Sequence, residues 1–277
     1  MSGKKFYAFL SASALALMIA ATGCDKNKDD NNELTVTSDI SYAKENARIE
    51  QILNDAQTFT DQAFAGRYLN LKGGSILGSG CASIIVDTAA RSVTVDFGGK
   101  DCLCKDSRYR KGKITRIYSG KYNDSGALHN IKFSDYYVND YRVDGKITIA
   151  VKKTPAKGLY YEMESDVVIT APDGATTTRT ANQVRSFVKG TSSADVYDDE
   201  YYIDGYGVYT HPDGSVFKMN IEQHIRVNPN CDWPLEGIVE LTPINGFARV
   251  MDYGPVIGCD NKVIFTVDKK VYEILLD

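Results

Sequence analysis

Apolar and polar residues alternate with period two along most of this chain, and one stretch alone breaks that rhythm. The alternation is clearest between Arg110 and Val151, where Ile114, Arg116 and Tyr118 fall on one face and Thr115, Ile117 and Ser119 on the other. The run breaks at Asn123-Asp124-Ser125-Gly126, resumes at Leu128 to Phe133, turns near Asn139-Asp140 and continues to Val151. Gly, Asn and Asp tolerate positive φ, so this spacing predicts a three-stranded meander. A meander needs further sheet or a helix to cover its apolar face.

The rest of the chain supplies the further sheet. Ser83 to Val86 and Ser92 to Phe97 predict a hairpin; Tyr160 to Ala171 meets a Pro172-Asp173-Gly174 turn and continues through Thr176 to Val188. Tyr206 to Thr210 turns at Pro212-Asp213-Gly214 into Val216 to Val227. Gly237 to Thr242 pairs with Ala248 to Asp252, and Lys262 to Val267 with Val271 to Leu276. About a dozen short strands predict a mainly β fold, an antiparallel sandwich or open half-barrel.

Ser41 to Phe64 changes period, with Ile49, Ile52, Ala56, Phe59 and Ala63 recurring at three and four. Lys44, Glu45, Arg48, Glu50 and Asp55 lie mostly elsewhere. The spacing predicts one N-terminal amphipathic helix, capped by Asp39 or Ser41 and stopped near Gly66, whose narrow Ala-rich stripe lies close on the sheet.

Ahead of it, residues 1–23 have a basic start, an apolar run from Phe6 to Ala21 and small residues leading into Cys24, which reads as a secretory leader. Ala21-Thr22-Gly23-Cys24 resembles the bacterial lipobox, with Ala where Leu is more usual, and that resemblance implies cleavage before Cys24 and lipid on its thiol and amine. Residues 24–38 are polar and aperiodic, so a disordered tether is expected there, followed by a single helix-plus-β domain over 39–277.

Cysteines add a framework. With Cys24 lipidated, Cys81, Cys102, Cys104, Cys231 and Cys259 remain. Cys81 precedes a hairpin that ends Asp96-Phe97-Gly98 with Cys102 soon after; Cys231 precedes one that ends Asp252-Tyr253-Gly254 with Cys259 soon after. The parallel predicts bridges Cys81–Cys102 and Cys231–Cys259, with Cys104 able to replace Cys102. It also suggests two related halves, 67–155 and 156–277.

Composition narrows function by exclusion. The formal charge is −4, and loss of Lys4 and Lys5 with the leader makes the mature chain more acidic, without the basic stripe that nucleic acid requires. The chain holds 18 Tyr against one Trp, which suits a pleated surface or platforms for sugar rings. His129, His211 and His224 are its only histidines, and no nucleophile elbow, phosphate loop or dinucleotide fingerprint accompanies them, so no cofactor is expected. Glu222 and His224 share a strand face two residues apart and read as surface polarity. The most unusual run is Asp195 to Gly207, whose Asp195, Asp198, Asp199, Glu200 and Asp204 are candidate ligands for calcium or a polyol.

Lys28-Asp29-Asp30 resembles the signal that sends lipoproteins of the Bacteroidota to the outer face of the outer membrane. More broadly, the lipobox, the Cys-hairpin-Asp-Phe-Gly segment, Arg110 to Ile149 and Cys259 to Leu276 are together similar to an uncharacterised family of Bacteroidota outer-membrane lipoproteins. The resemblance implies a surface-exposed, membrane-anchored β unit and lends no activity. The expectation is therefore a non-catalytic binding or structural module for a glycan or protein partner. A carrier of an apolar ligand in a curved sheet is the alternative, and an enzyme the third reading.

Overall fold

The computed structural model describes residues 26–69, 80–191, 196–255 and 258–277, and, within the helix, the side chains of residues 36–65. Cys24 lies outside this set, as does Asp195. The described residues form one helix, α1 (Lys26–Leu69), a single 3-10 turn at Val196–Asp198, and fourteen strands. The first seven strands are β1 (Ser83–Asp87), β2 (Ser92–Asp96), β3 (Cys102–Leu103), β4 (Tyr109–Tyr118), β5 (Leu128–Val138), β6 (Tyr141–Thr154) and β7 (Gly158–Thr170). The others are β8 (Thr176–Lys189), β9 (Glu200–Thr210), β10 (Val216–Val227), β11 (Glu236–Pro243), β12 (Arg249–Asp252), β13 (Lys262–Val267) and β14 (Lys270–Leu275).

All strands belong to one antiparallel sheet in sequence order, except that β3 pairs with β4 beside the main path. This is the open half-barrel of the two architectures expected; the sheet does not close, and no second sheet faces it among the described residues. The two hairpin regions are therefore stretches of one continuous sheet. Their local likeness is real all the same. Asp96 Oδ1 accepts the Gly98 N–H at 2.9 Å, and Asp252 Oδ1 accepts the Gly254 N–H at 2.8 Å. In both exits the glycine takes positive φ, 82° and 74°.

Helix α1 begins at Lys26, so the segment 24–38 read as a disordered tether is helical from there on. Nor does Gly66 stop it, since helix continues to Leu69. The sheet curls round this helix. Contacts run from β2, β4 and β5 on one flank to β12 and β13 on the other. The curl is produced by bulges, including shifts in register between β4 and β5, β5 and β6, and β9 and β10. At the first of these Gly112 takes φ 82°, and a Cβ there would lie 1.8 Å from the Asp135 carbonyl oxygen.

The inward positions of the strands and the helix form one core, from Ala43, Ile49, Leu53, Phe59 and Phe64 to Ile114, Ile147, Val167, Tyr209, Phe217 and Phe265. Arginines occupy inward positions too. Arg110, Arg116, Arg179 and Arg185 are each at most 2% exposed, and each meets a carboxylate from α1. Asp61 takes Arg116 at 2.5 Å and Arg185 at 2.8 Å on its two oxygens. Glu50 holds Arg179 at 2.6 and 2.9 Å. Asp39 holds Arg249 at 2.5 Å, Glu45 accepts from Thr177 and faces His211 Nδ1 at 3.2 Å, and Asp55 holds Arg110 at 2.6 Å. Asp39, Glu50 and Asp61 are eleven residues apart, close to three helical turns, and share one stripe. The acids off the apolar stripe are thus paired inside the sheet.

Candidate functional site

Along Lys44, Arg48, Gln51 and Asp55 one side of α1 stays half-exposed, and two disulfide-clamped loops reach over it. The first runs from β3 to β4. Its turn is closed by Cys104 N–H to Arg108 O at 2.8 Å and Ser107 N–H to Cys104 O at 3.0 Å. Cys81 is bonded to Cys102 at its base. The second joins β10 to β11, where Pro229 and Pro234 bracket Asn230-Cys231-Asp232-Trp233. Asn228 supports it by accepting the Cys231 N–H through its carbonyl at 2.9 Å and the Asn230 N–H through Oδ1 at 2.9 Å. Asn230 donates to the Tyr197 carbonyl at 2.6 Å, Leu235 is buried as an anchor, and Cys231 is bonded to Cys259. Both expected bridges are therefore formed, and Cys104 is the buried free thiol.

The loops touch across the helix. Arg108 reaches Asp232 at 2.6 Å and Asp55 at 3.5 Å, while Gln51 donates to the Asp232 carbonyl at 3.0 Å. On either side of this bridge lies a cavity of about 250 Å³, and both share Gln51, Asp55, Arg108, Asp232 and Trp233 in their walls. Tyr201, Tyr253, Asn54 and Asn230 complete one, and Arg48, Tyr141, Asn139 and Asp277 the other. Trp233, half-buried, is the only indole in the chain.

Electrostatically the groove is balanced. Arg110, beneath it, donates to Asp55 and Asp106, with Nη2 at 2.6 Å from each. Burial works against ionisation of Asp106, but the hydrogen bond from Arg110 and the charges of Arg110 and Arg108 hold its carboxyl below the usual range. Burial dominates at Asp55 and pushes its carboxyl up in spite of both arginines. Burial likewise raises the hydroxyls of Tyr201 and Tyr253, which stay protonated at neutral pH and able to donate. The result is a cleft with an indole, phenols, amides and a charge-compensated guanidinium, suited to a neutral, hydroxyl-rich ligand.

The acidic run behaves differently from the expectation. Glu200 is committed to Lys189 at 2.6 Å, Arg226 at 2.5 Å and Asn228 at 3.3 Å. Asp198 is exposed on the 3-10 turn, Asp199 is buried, and Asp204 points outward between the inward-facing Ile203 and the Gly205 kink. No group of three or more His, Cys, Asp or Glu able to hold a metal occurs among the described residues, which do not include Asp195. Among the described residues the exposed tyrosines stand apart: Tyr109 lies on β4 near one end of the sheet and Tyr206 on β9 near its middle. The His224 ring packs on Tyr202 with centroids 4.0 Å apart and planes tilted by 44°, while Glu222 accepts from Asn220 at 2.5 Å.

Sequence reasoning missed the groove. Its one signal was the lone Trp, flanked by prolines beside a bridging cysteine. No family model, curated protein or solved structure matches this chain.

Proposed function

We propose that this protein is a lipid-anchored envelope lipoprotein whose Trp233 groove binds a neutral glycan without turning it over. The observation that carries the reading is the pairing of two cavities around one rigid indole, with planar amide, carboxylate and guanidinium groups around both. A sugar ring offers an apolar face for stacking and a rim of hydroxyls for such groups, and two adjoining cavities suit two consecutive residues of a chain. Asp55 and Asp106 are held by Arg108 and Arg110, Glu50 by Arg179 and Asp277 by Arg48, which favours recognition over proton transfer. The helix fills the concave face of the sheet, which favours a binding module over a carrier of an apolar ligand.

An array of neutral oligosaccharides tests this. The wild type binds a subset, and Trp233→Ala lowers affinity at least about tenfold, as loss of a buried aromatic contact does. Wild-type binding that survives Trp233→Ala unchanged refutes the groove as the site. For the anchor, acylation at Cys24 and export to the outer surface of the outer membrane are inferred from the leader and from the family resemblance. Several acyl chains are needed for stable retention. Cys24→Ala releases the protein into the soluble fraction; continued membrane retention contradicts the anchor.

A further inference from the structure

Three cysteines meet at the base of the first loop, and only two can be bonded at once. Cys102 opens the two-residue strand β3 and Cys104 follows directly on its end; Leu103 between them is 54% exposed, whereas both cysteines turn toward the core. Cys81 is bonded to Cys102, and the free Cys104 Sγ lies 3.2 Å from Cys81 Sγ, within the 3–3.5 Å separation of reacting atoms in near-attack geometry. The two candidate partners differ in exposure: Cys104 is 4% exposed and Cys102 is half-buried at the margin of the sheet.

We propose that Cys81, Cys102 and Cys104 form a thiol–disulfide exchange site in which Cys81 pairs alternately with Cys102 and Cys104, and that this exchange reshapes the Arg108 wall of the groove. The step is redox-neutral. Cys104 gives up its proton to solvent and its thiolate attacks Cys81 Sγ. The Sγ81–Sγ104 bond forms as Sγ81–Sγ102 breaks, and the electron pair leaves on Cys102, which takes up a proton. Free thiol therefore moves from a buried position to a half-exposed one.

The second part of the proposal rests on the groove being the binding site. The turn from Cys104 to Arg108 is closed by the Cys104 N–H to Arg108 carbonyl bond, so drawing Cys104 onto Cys81 pulls on the residue that bridges to Asp232. Cys104 is faced by Arg110 and Asp106 from its own loop and β4, by Asp55 from α1 and by Tyr136 from β5. Burial keeps it a thiol at neutral pH in spite of Arg110, so the exchange quickens about tenfold per pH unit toward alkaline pH.

Acid-quenched alkylation and non-reduced peptide mapping of the full wild-type protein, incubated from pH 6 to pH 9, test the exchange. The expected result is label on Cys104 initially, with Cys102 label and a Cys81–Cys104 peptide appearing faster as pH rises. Cys102→Ser is expected to close Cys81–Cys104. A wild type that yields only Cys81–Cys102 across that range after prolonged incubation overturns the exchange, whether or not the variant folds. Emission of Trp233 tests the coupling: Cys102→Ser and Cys104→Ser should differ in emission maximum, and identical spectra with exchange mapped refute the coupling alone. Glycan binding absent from the wild type as well as both variants refutes the groove reading and leaves the mapped exchange standing.

Discussion

Asp61 binds two guanidiniums, one on each oxygen, at a position 3% exposed to solvent. Such a group stabilises little beyond an apolar substitute of the same shape, yet removing one partner strands the others in the interior. Asp61→Ala should therefore cost about 3–5 kcal/mol in urea unfolding, whereas replacing Asp61, Arg116 and Arg185 together by Leu, Met and Met should recover much of the loss. A second residue sets the response to acid. Burial, with the nearby Arg116 charge, pushes the His129 imidazole down to about 3, against the ordinary 6.5. Between these values the unfolded chain binds a proton that the folded one does not. Stability is thus fully present above pH 6.5 and falls by up to about 1.4 kcal/mol per unit as the pH drops toward 3. His129→Leu should flatten the slope between pH 6.5 and 5; an unchanged slope in urea titrations would place it elsewhere.

The elements were unequally legible in the sequence. Strands β10 and β13 run from Val216 to Val227 and from Lys262 to Val267 as alternation and turn residues require, because sheet pleat and turn chemistry are local. Strand β9 begins at Glu200, six residues ahead of the expected Tyr206, since a run of acids and tyrosines hides its alternation. The helix was half legible. Its apolar stripe can be read from spacing, but Glu45, Glu50 and Asp55 pair with residues from 53 to 166 positions away, which no local pattern reveals. The trace they left was arginine at inward parity, as at Arg116 between Ile114 and Tyr118. The bulges that curl the sheet were not legible either, apart from their glycines. Gly112→Ala should cost at least about 1–3 kcal/mol from positive φ alone, and more from the Cβ meeting Asp135. A thermal midpoint equal to wild type would contradict that role.

On the scale of the whole molecule, five acids on α1 fix its depth and rotation inside an open sheet. Both clamped loops can then meet over its half-exposed side. The helix also extends ahead of its sheet-packed part: from Lys26 to Ser38 it spans about 18 Å, so the anchor proposed at Cys24 would carry the domain on a helical stalk. Bridge partners could be foreseen from two similar hairpin exits. The groove between them could not, because it exists only once the sheet has brought residues 108 and 232 together across the helix. The most direct measurement uses the single indole. In an amide NMR spectrum of the labelled protein, the one Trp233 Nε1–H peak should shift saturably as a neutral oligosaccharide selected on the array is added, with Asp232 and Gln51 moving alongside it. An indole peak that stays fixed while binding saturates would place the site elsewhere and contradict the assignment of function to this groove.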